Sequence, residues 1–245
     1  MTVLTPCLHA QPARVIERVK PAIVAIATYQ RTRVPQVRFL GTGFAVGSGN
    51  LIATNAHVID TALGAGPDPE VLVVVVPTSD AGKAQIRATA RVATDSEHDI
   101  ALVRIEGSPL PPLVLRDSGN VAEGDQLLFT GFPIGSVLGL FPATHRAMVA
   151  AMTPIVIPTA SAQQLDPKVV RRLQGGGFKV FQLDATAFPG NSGSPLYDAT
   201  TGEVVGILNM VFVKGTKESA LAQPSGISYA IPSQHLIELL SRLGK

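Results

Sequence analysis

The chain has 245 residues, of which 46% are hydrophobic and 16% are charged, a balance that is typical of a compact globular protein and excludes a disordered chain. Its 20 Lys and Arg against 18 Asp and Glu leave a formal charge of +2, too small and dispersed for the basic face that phosphate backbones require. Nucleic acid is therefore not an expected partner. The densest apolar run, 71–76, is far shorter than the roughly 20 residues of a membrane-spanning helix, so we expect no transmembrane segment.

Strand-forming runs dominate the chain. Hydrophobic and β-branched stretches recur between Gly, Pro, Asn and Asp clusters, a pattern typical of an all-β sandwich or barrel. In the first half they predict strands over 21–30, 37–47, 51–59, 70–78, 84–94 and 100–106. In the second half they predict strands over 126–133, 145–155, 178–186, 192–198, 203–213 and 227–232.

The sequence predicts few helices. Capping and spacing signals predict one over Ala13–Val19, a surface helix with Asp166 as N-cap and Pro167 at its first position, and a C-terminal helix that begins near Ser233. The Pro- and Gly-rich segment 106–120 is predicted to connect the two halves. Two closed barrels would leave few exposed sheet edges and would create a cleft between them.

Three motifs carry the side chains that a serine needs to hydrolyse an amide: a nucleophile, a base and a carboxylate that orients the base. His57 lies in ATNAHVI at the end of a predicted strand, Asp99 begins DIALVRI, and Ser192 lies in the glycine-flanked turn FPGNSGSP. The order His, Asp, Ser is that of the chymotrypsin fold. An α/β-hydrolase would carry the triad in the order Ser, Asp, His, and its G-x-S-x-G elbow is broken here by Ser194.

The segments GTGFAVGSGNLIATNAHVI, HDIALVRI, AFPGNSGSPL and GISYAIP resemble, in content and order, those of HtrA (Deg)-type trypsin-like peptidases. With VIERVKPAIVAI and GDQLLFTGFPIG, the resemblance spans Val15 to Pro232. It implies an all-β fold of two six-stranded antiparallel barrels with short N- and C-terminal helices. The implied limits are 1–20 for an N-terminal segment and helix, 21–117 and 118–232 for the barrels, and 233–245 for the C-terminal helix.

The resemblance also implies roles for particular residues. His57, Asp99 and Ser192 would be the catalytic triad, and the backbone amides of Gly190 and Ser192 would be the oxyanion donors. A substrate pocket would involve four further residues: Thr186, Ile227, Ser228 and Tyr229. The hydroxyl of Ser228 is expected to help fix the catalytic carboxylate. The remaining histidines are expected at surface or capping positions: His9, His98, His145 and His235.

The chain departs from the family pattern at three points. Ser194 replaces the last glycine of the usual GNSGGP motif. The glutamyl endopeptidases have the same GNSGSP, so the change is compatible with activity. No charged residue matches the pocket positions, which favours a neutral pocket for small or medium aliphatic residues. Asn191 replaces the Asp that pairs with a new N-terminus in trypsin relatives, so we expect no zymogen switch of that kind.

No metal or other cofactor is implied, because no histidine pair has metal-site spacing and Cys7 is the single cysteine.

Two functions stay open: an endopeptidase acting on protein or peptide substrates, with quality control as one expected role, and a latent or inactive protein of this fold that binds a partner. The resemblance favours a periplasmic or secreted protein, whereas the lack of a basic leader favours a cytoplasmic one. HtrA proteins commonly continue from this C-terminal helix into PDZ domains, and we expect no activation through such domains here. The expected oligomeric state is a monomer or a homotrimer.

Overall fold

The strands of the N-terminal half form one closed barrel. A computed structural model describes residues 10–60, 67–78, 84–135, 139, 141–154, 178–209 and 226–243. The first six strands are β1 Ile23–Tyr29, β2 Val37–Val46, β3 Leu51–Asn55, β4 Val71–Pro77, β5 Ala84–Asp95 and β6 Ile100–Ile105. They pair in the order β1-β2-β3-β6-β5-β4, and β4 closes on β1. Every pair is antiparallel.

A second closed barrel follows. Its strands are β7 Gln126–Gly131, β8 Ala143–Pro154, β9 Lys179–Asp184, β10 Pro195–Asp198, β11 Val204–Asn209 and β12 Ile227–Pro232. They pair in the order β10-β11-β12-β9-β8-β7, again antiparallel throughout. The predicted all-β fold of two six-stranded barrels is confirmed. The limits predicted for the barrels and flanking segments stay predictions, and the predicted helix at Asp166 lies outside the described residues.

Closely packed aliphatic and aromatic side chains fill each barrel. Phe44, Ile52 and Leu102 are fully buried in the first, and Phe129 and Leu183 in the second. Each such side chain stabilises the fold by about 1.5–3 kcal/mol relative to an exposed position. The first core continues onto the outer side of the second barrel, where buried residues of β10, β11 and the C-terminal helix join it. The barrels therefore share a continuous apolar contact, which fixes the cleft between them.

Two helices flank the barrels. Helix α1, Ala10–Val19, contacts the second barrel through Arg18, which donates to the carbonyl of Thr201 at 2.9 Å. The C-terminal helix is Ser233–Leu243, named α3 here, and it begins at the residue predicted for it. No helix in the described ranges is both long enough and apolar enough to cross a membrane.

The strand predicted over 51–59 ends early, at Asn55. Residues Ala56–Ile59 form a short helix, α2, because Asp99 satisfies its first amides. The amide of Ala56 donates to the Asp99 carbonyl at 3.1 Å, and that of His57 donates to Asp99 Oδ1 at 2.8 Å. The first amides of a helix have no partner within the helix, so an external acceptor fixes where it begins. His57 consequently lies on a helix rather than at a strand end.

Candidate active site

Asp99 lies in a tight turn that joins β5 to β6. Its φ angle is +54°, a left-handed conformation that Asp and Asn tolerate better than most residues but that still requires support. Asn55 supplies part of that support by donating from Nδ2 to the Asp99 carbonyl at 3.1 Å, beside the bond from the Ala56 amide. The backbone of the turn is thus fixed to the end of β3, and the carboxylate points towards α2.

The Asp99 carboxylate holds His57 at two points. Its Oδ1 accepts from the His57 amide at 2.8 Å, and its Oδ2 lies 2.6 Å from Nδ1 of the His57 ring. With Nδ1–H donating to the carboxylate, the neutral ring presents Nε2 as an acceptor. The two side chains are 31% and 20% exposed, so the pair is open to the cleft on one side only. This arrangement leaves a base with a fixed tautomer and a free nitrogen.

A third group binds the same carboxylate from the other barrel. Asn209, fully buried at the end of β11, donates from Nδ2 to Asp99 Oδ2 at 2.6 Å. This residue was not predicted from the sequence, which led us to expect that Ser228 helps to fix the carboxylate. That expectation is corrected here, because the Ser228 hydroxyl donates instead to the carbonyl of Ala185 at 2.8 Å. A polar residue ending the apolar run VVGIL is the signal that could have pointed to Asn209.

Ser192 lies in a turn of the second barrel that packs directly against the first. The Thr42 amide donates to the Ser192 carbonyl at 2.9 Å, and the Gly193 amide donates to the Leu208 carbonyl at 3.0 Å. A Cβ atom on Gly41 would lie 2.9 Å from the Val58 side chain and 3.1 Å from the Ser192 carbonyl oxygen. β2 is thus in contact with both the serine turn and α2. The turn that carries Ser192 and the helix that carries His57 therefore both contact β2 at Gly41.

Glycines shape the serine turn. Gly190 and Gly193 have φ angles of +101° and +86°, in the region where only glycine is relaxed. A Cβ atom on Gly193 would lie 2.1 Å from the Thr42 carbonyl oxygen and 2.5 Å from Thr54 Oγ1, so no side chain fits. This close approach brings the turn against the first barrel. The strand predicted to begin at Ser192 begins instead at Pro195, because the turn continues through Ser194, whose amide donates to the Asn191 carbonyl.

The backbone amides of Gly190 and Ser192 are the two predicted oxyanion donors. The Pro189 carbonyl accepts from the Ile134 amide at 2.7 Å, and the N–H of the same trans peptide, that of Gly190, points the opposite way. The Gly190 carbonyl is fixed as well, by the Thr42 hydroxyl at 2.7 Å. Within the described part of the chain, the amides of Gly190 and Ser192 have no hydrogen-bond acceptor. They are available to a developing oxyanion.

The four residues predicted to contact substrate lie around β12 and the end of β9. Ile227 pairs with Asp184, and Tyr229 lies between Gln182 on β9 and Asn209 on β11. Ile227 is exposed, Tyr229 is half-buried, and Ser228 faces inwards. Thr186 is exposed just after β9. Asn209 thus joins the predicted pocket strand to the Asp99 carboxylate.

No set of three or more His, Cys, Asp or Glu side chains in the described ranges is arranged to hold a metal ion. The arrangement instead combines a histidine–carboxylate pair on one barrel with a serine turn and free amides on the other. Two closed barrels with these elements at their junction define the chymotrypsin-like double-barrel fold of serine peptidases.

Comparison with known proteins agrees with this class. A family model described as "Trypsin-like peptidase domain" matches residues 41–207, and the chain belongs to this family. Similar curated proteins are of the HtrA and DegP type. A "Probable periplasmic serine endoprotease DegP-like" of Pseudomonas putida is 30% identical over 87% of this chain, and "Serine protease HTRA2, mitochondrial" of Bos taurus is 32% identical over 94%.

The chain spans 36% and 42% of the length of these two relatives. A solved structure described as "HtrA-type protease AlgW with tripeptide" superposes with a TM-score of 0.64 and 23% identity, covering 94% of this chain and 62% of that one. This likeness shows that the fold is shared.

Proposed function

We propose that the protein is a serine endopeptidase of the HtrA type in which His57, Asp99 and Ser192 form the catalytic triad. The observation that carries this proposal is the orientation of His57: Asp99 accepts from both its amide and its ring, 2.8 and 2.6 Å away. A histidine held in this tautomer offers Nε2 to a neighbouring hydroxyl. The Ser192 turn, in contact with β2 beside α2, supplies that hydroxyl.

The proposed reaction has two halves. His57 Nε2 takes the Ser192 proton as the hydroxyl attacks the scissile carbonyl, and the proton is then given to the leaving amine as the carbon–nitrogen bond breaks. Water, deprotonated by the same nitrogen, then attacks the acyl-enzyme. His57 gives that proton to the Ser192 oxygen as the ester bond breaks. The amides of Gly190 and Ser192 stabilise the oxyanion in both halves, and removing one such donor typically costs about 10²–10³ in turnover.

Labelling with a fluorophosphonate tests the assembled triad. The purified wild-type protein is expected to be labelled and to cleave casein, whereas Ser192→Ala abolishes both and Ser194→Ala, a matched serine two residues away, retains labelling. Absence of label on a folded wild-type protein would favour the alternative of a latent or inactive protein that binds a partner.

We further propose that the pocket is neutral and favours small or medium aliphatic residues on the acyl side of the scissile bond. The basis is the absence of a charged side chain at the four proposed pocket positions: Thr186, Ile227, Ser228 and Tyr229. A peptide library varied at that position is expected to give faster cleavage after Val or Ala than after Lys or Glu. Preferred cleavage after a charged residue would contradict the proposal.

A periplasmic location and a role in protein quality control are proposed from the relatives alone, one of which is named as periplasmic. Fractionation of a Gram-negative host that produces the protein with its own N-terminus tests the location. Sedimentation equilibrium distinguishes the proposed monomer from the proposed homotrimer. Recovery in the cytoplasmic fraction, with no release by osmotic shock, would contradict the proposed location.

A further inference from the structure

Two histidines outside the triad, His235, which is buried, and His98, which is half-buried, stack on each other at the contact between α3 and the turn that carries Asp99. His235 of α3 lies over His98 with ring centroids 3.8 Å apart and planes 15° apart. Phe178, which directly precedes β9 of the second barrel, meets both rings edge-on at 4.7 and 5.3 Å. His235 was expected at a surface or capping position but is only 8% exposed, so that expectation is corrected. Three separate parts of the chain meet at this pair.

His98 is anchored on its other side by Asp95. Its Nδ1 lies 2.8 Å from Asp95 Oδ2, while Asp95 Oδ1 accepts from the amides of Glu97 and His98 at 3.1 Å each. Burial alone would raise the pKa of Asp95, but the hydrogen bonds from the His98 ring and the two amides outweigh it and lower that pKa. Asp95 is therefore ionised at neutral pH and holds the turn 95–99 in one conformation.

His235 is held only by stacking and packing. Neither of its ring nitrogens has a hydrogen-bond partner among the described residues. The titratable groups that face it in the described ranges are His98, Asp95 and Glu97 of the turn and Glu238 of its own helix. Burial first, and His98 second, lower the pKa of His235, and the three carboxylates offset this only in part. The ring is therefore neutral at neutral pH.

The geometry does not suit a shared metal ion. Imidazole lone pairs lie in the ring plane, so two nearly parallel rings 3.8 Å apart direct their nitrogens side by side rather than at one point. The stack instead joins α3 to His98, the residue that precedes Asp99. Because a left-handed non-glycine residue persists only when its surroundings enforce it, contacts on this turn bear directly on the position of the Asp99 carboxylate.

We propose that the His98–His235 stack is a proton-sensitive clamp that positions Asp99: with His235 neutral it holds the turn against α3, and protonation of His235 releases it. The inference rests on the proposed role of Asp99 in the triad. A positive charge on His235 has no acceptor in the stack, so a protonated His235 is more stable once its ring leaves for solvent. His235 is thus a positioning residue that acts through His98 and the turn.

The direction of the pH effect follows from the two forms of His235. In the open form the exposed ring has the ordinary histidine pKa of about 6.5, and in the closed form its pKa is lower. The open form therefore binds the proton more readily, and the clamp is favoured above about pH 6.5 and progressively lost as the pH falls below it. Opening of the clamp therefore adds one proton to the acid loss of activity, the proton that His235 binds.

The first test compares acid limbs of kcat/KM for the wild type and His235→Phe, which retains an aromatic ring but cannot be protonated. Over the pH range in which the clamp opens, the wild type is expected to lose up to about tenfold more activity per pH unit than the variant, since the variant binds one proton fewer. The matched control is His145→Phe, which removes a half-buried histidine stacked on Phe129 in the second barrel, and it is expected to keep the steep limb. Equal limbs in the wild type and His235→Phe would overturn the clamp.

The second test needs no activity and no variant. Amide hydrogen exchange of the wild type, corrected for the intrinsic pH dependence, is expected to show loss of protection in 96–99 and in α3 at pH 5.5 relative to pH 7.5. The loss should be about tenfold, because pH 5.5 lies about one unit below the open-form pKa. Unchanged protection would overturn the clamp. Failure of fluorophosphonate labelling at pH 8 with pH-dependent exchange intact would instead count against the proposed triad.

Discussion

Asn209 of the second barrel and His57 of the first bind the same oxygen of Asp99, each 2.6 Å from Oδ2. A carboxylate oxygen has room for two donors, so one oxygen joins the barrels at the centre of the site. The relative position of the barrels and the orientation of His57 are consequently coupled. Any movement that separates β11 from the Asp99 turn removes a charge-assisted hydrogen bond from the group that orients the base.

Replacing Asn209 with Leu, which has a similar size and no donor, is therefore expected to lower kcat/KM. A hydrogen bond to a charged group contributes about 1.5–3 kcal/mol, so the loss should be about 10- to 100-fold. Asn209→Thr keeps a donor and is expected to recover part of the activity. Steady-state kinetics beside a thermal melt separates this effect from unfolding. Wild-type activity of the Leu variant, at an unchanged melting temperature, would remove Asn209 from the site.

Gly193→Ala is expected to destabilise the fold by more than about 3 kcal/mol, because it combines a left-handed φ angle with a backbone clash. The added Cβ would lie 2.1 Å from the Thr42 carbonyl oxygen. Gly124 is a matched control, since it has a φ angle of +95° and nothing within 4 Å of its Cβ position. Gly124→Ala should cost only the conformational part, about 1–2 kcal/mol. Urea unfolding measures both, and similar costs would show that the close approach to Thr42 is unimportant.

The positions of most strands were accessible from the sequence because they depend on local signals. Apolar runs such as that of β4, bounded by Glu70 and Pro77, define strands, and the glycines around Ser192 define the turn. Contacts between distant segments were not accessible. Helix α2 exists because Asp99, 42 residues further along the chain, accepts the His57 amide. The Asn209 bond and the burial of His235 likewise depend on how the barrels and α3 pack, which no local pattern encodes.

Asp198 gives a prediction about acid stability. Burial alone would raise the pKa of this carboxylate, but the amides of Thr201 and Thr200 and the nearby Arg116 outweigh it and lower that pKa. A carboxyl whose pKa is lower in the folded state stabilises the protein above its unfolded value of about 3.9 and loses that contribution as the pH falls through the folded value. Asp198→Asn keeps an acceptor for the amides and loses the charge. We expect a loss of about 1 kcal/mol at pH 7 that disappears near pH 2. A pH-independent difference in urea unfolding would contradict this.

Gly131 and Ser194 form a packed pair beneath the Ser192 turn, and a double-mutant cycle tests it. A Cβ atom on Gly131 would lie 2.0 Å from Ser194 Oγ, 2.8 Å from Thr42 Oγ1 and 3.1 Å from Asn191 Oδ1. The Ser194 hydroxyl is buried and has no hydrogen-bond partner among the described residues, so Ser194→Gly removes both the clash and an unsatisfied group.

We expect Gly131→Ala to lower the free energy of unfolding by more than about 2 kcal/mol. Ser194→Gly should lower it by less than about 1 kcal/mol, a loss that arises because glycine also loosens the unfolded chain. The double variant should recover about 1 kcal/mol or more relative to the sum, since residues in contact do not act additively. Strict additivity in urea unfolding would show that Thr42, and not Ser194, is what keeps residue 131 a glycine.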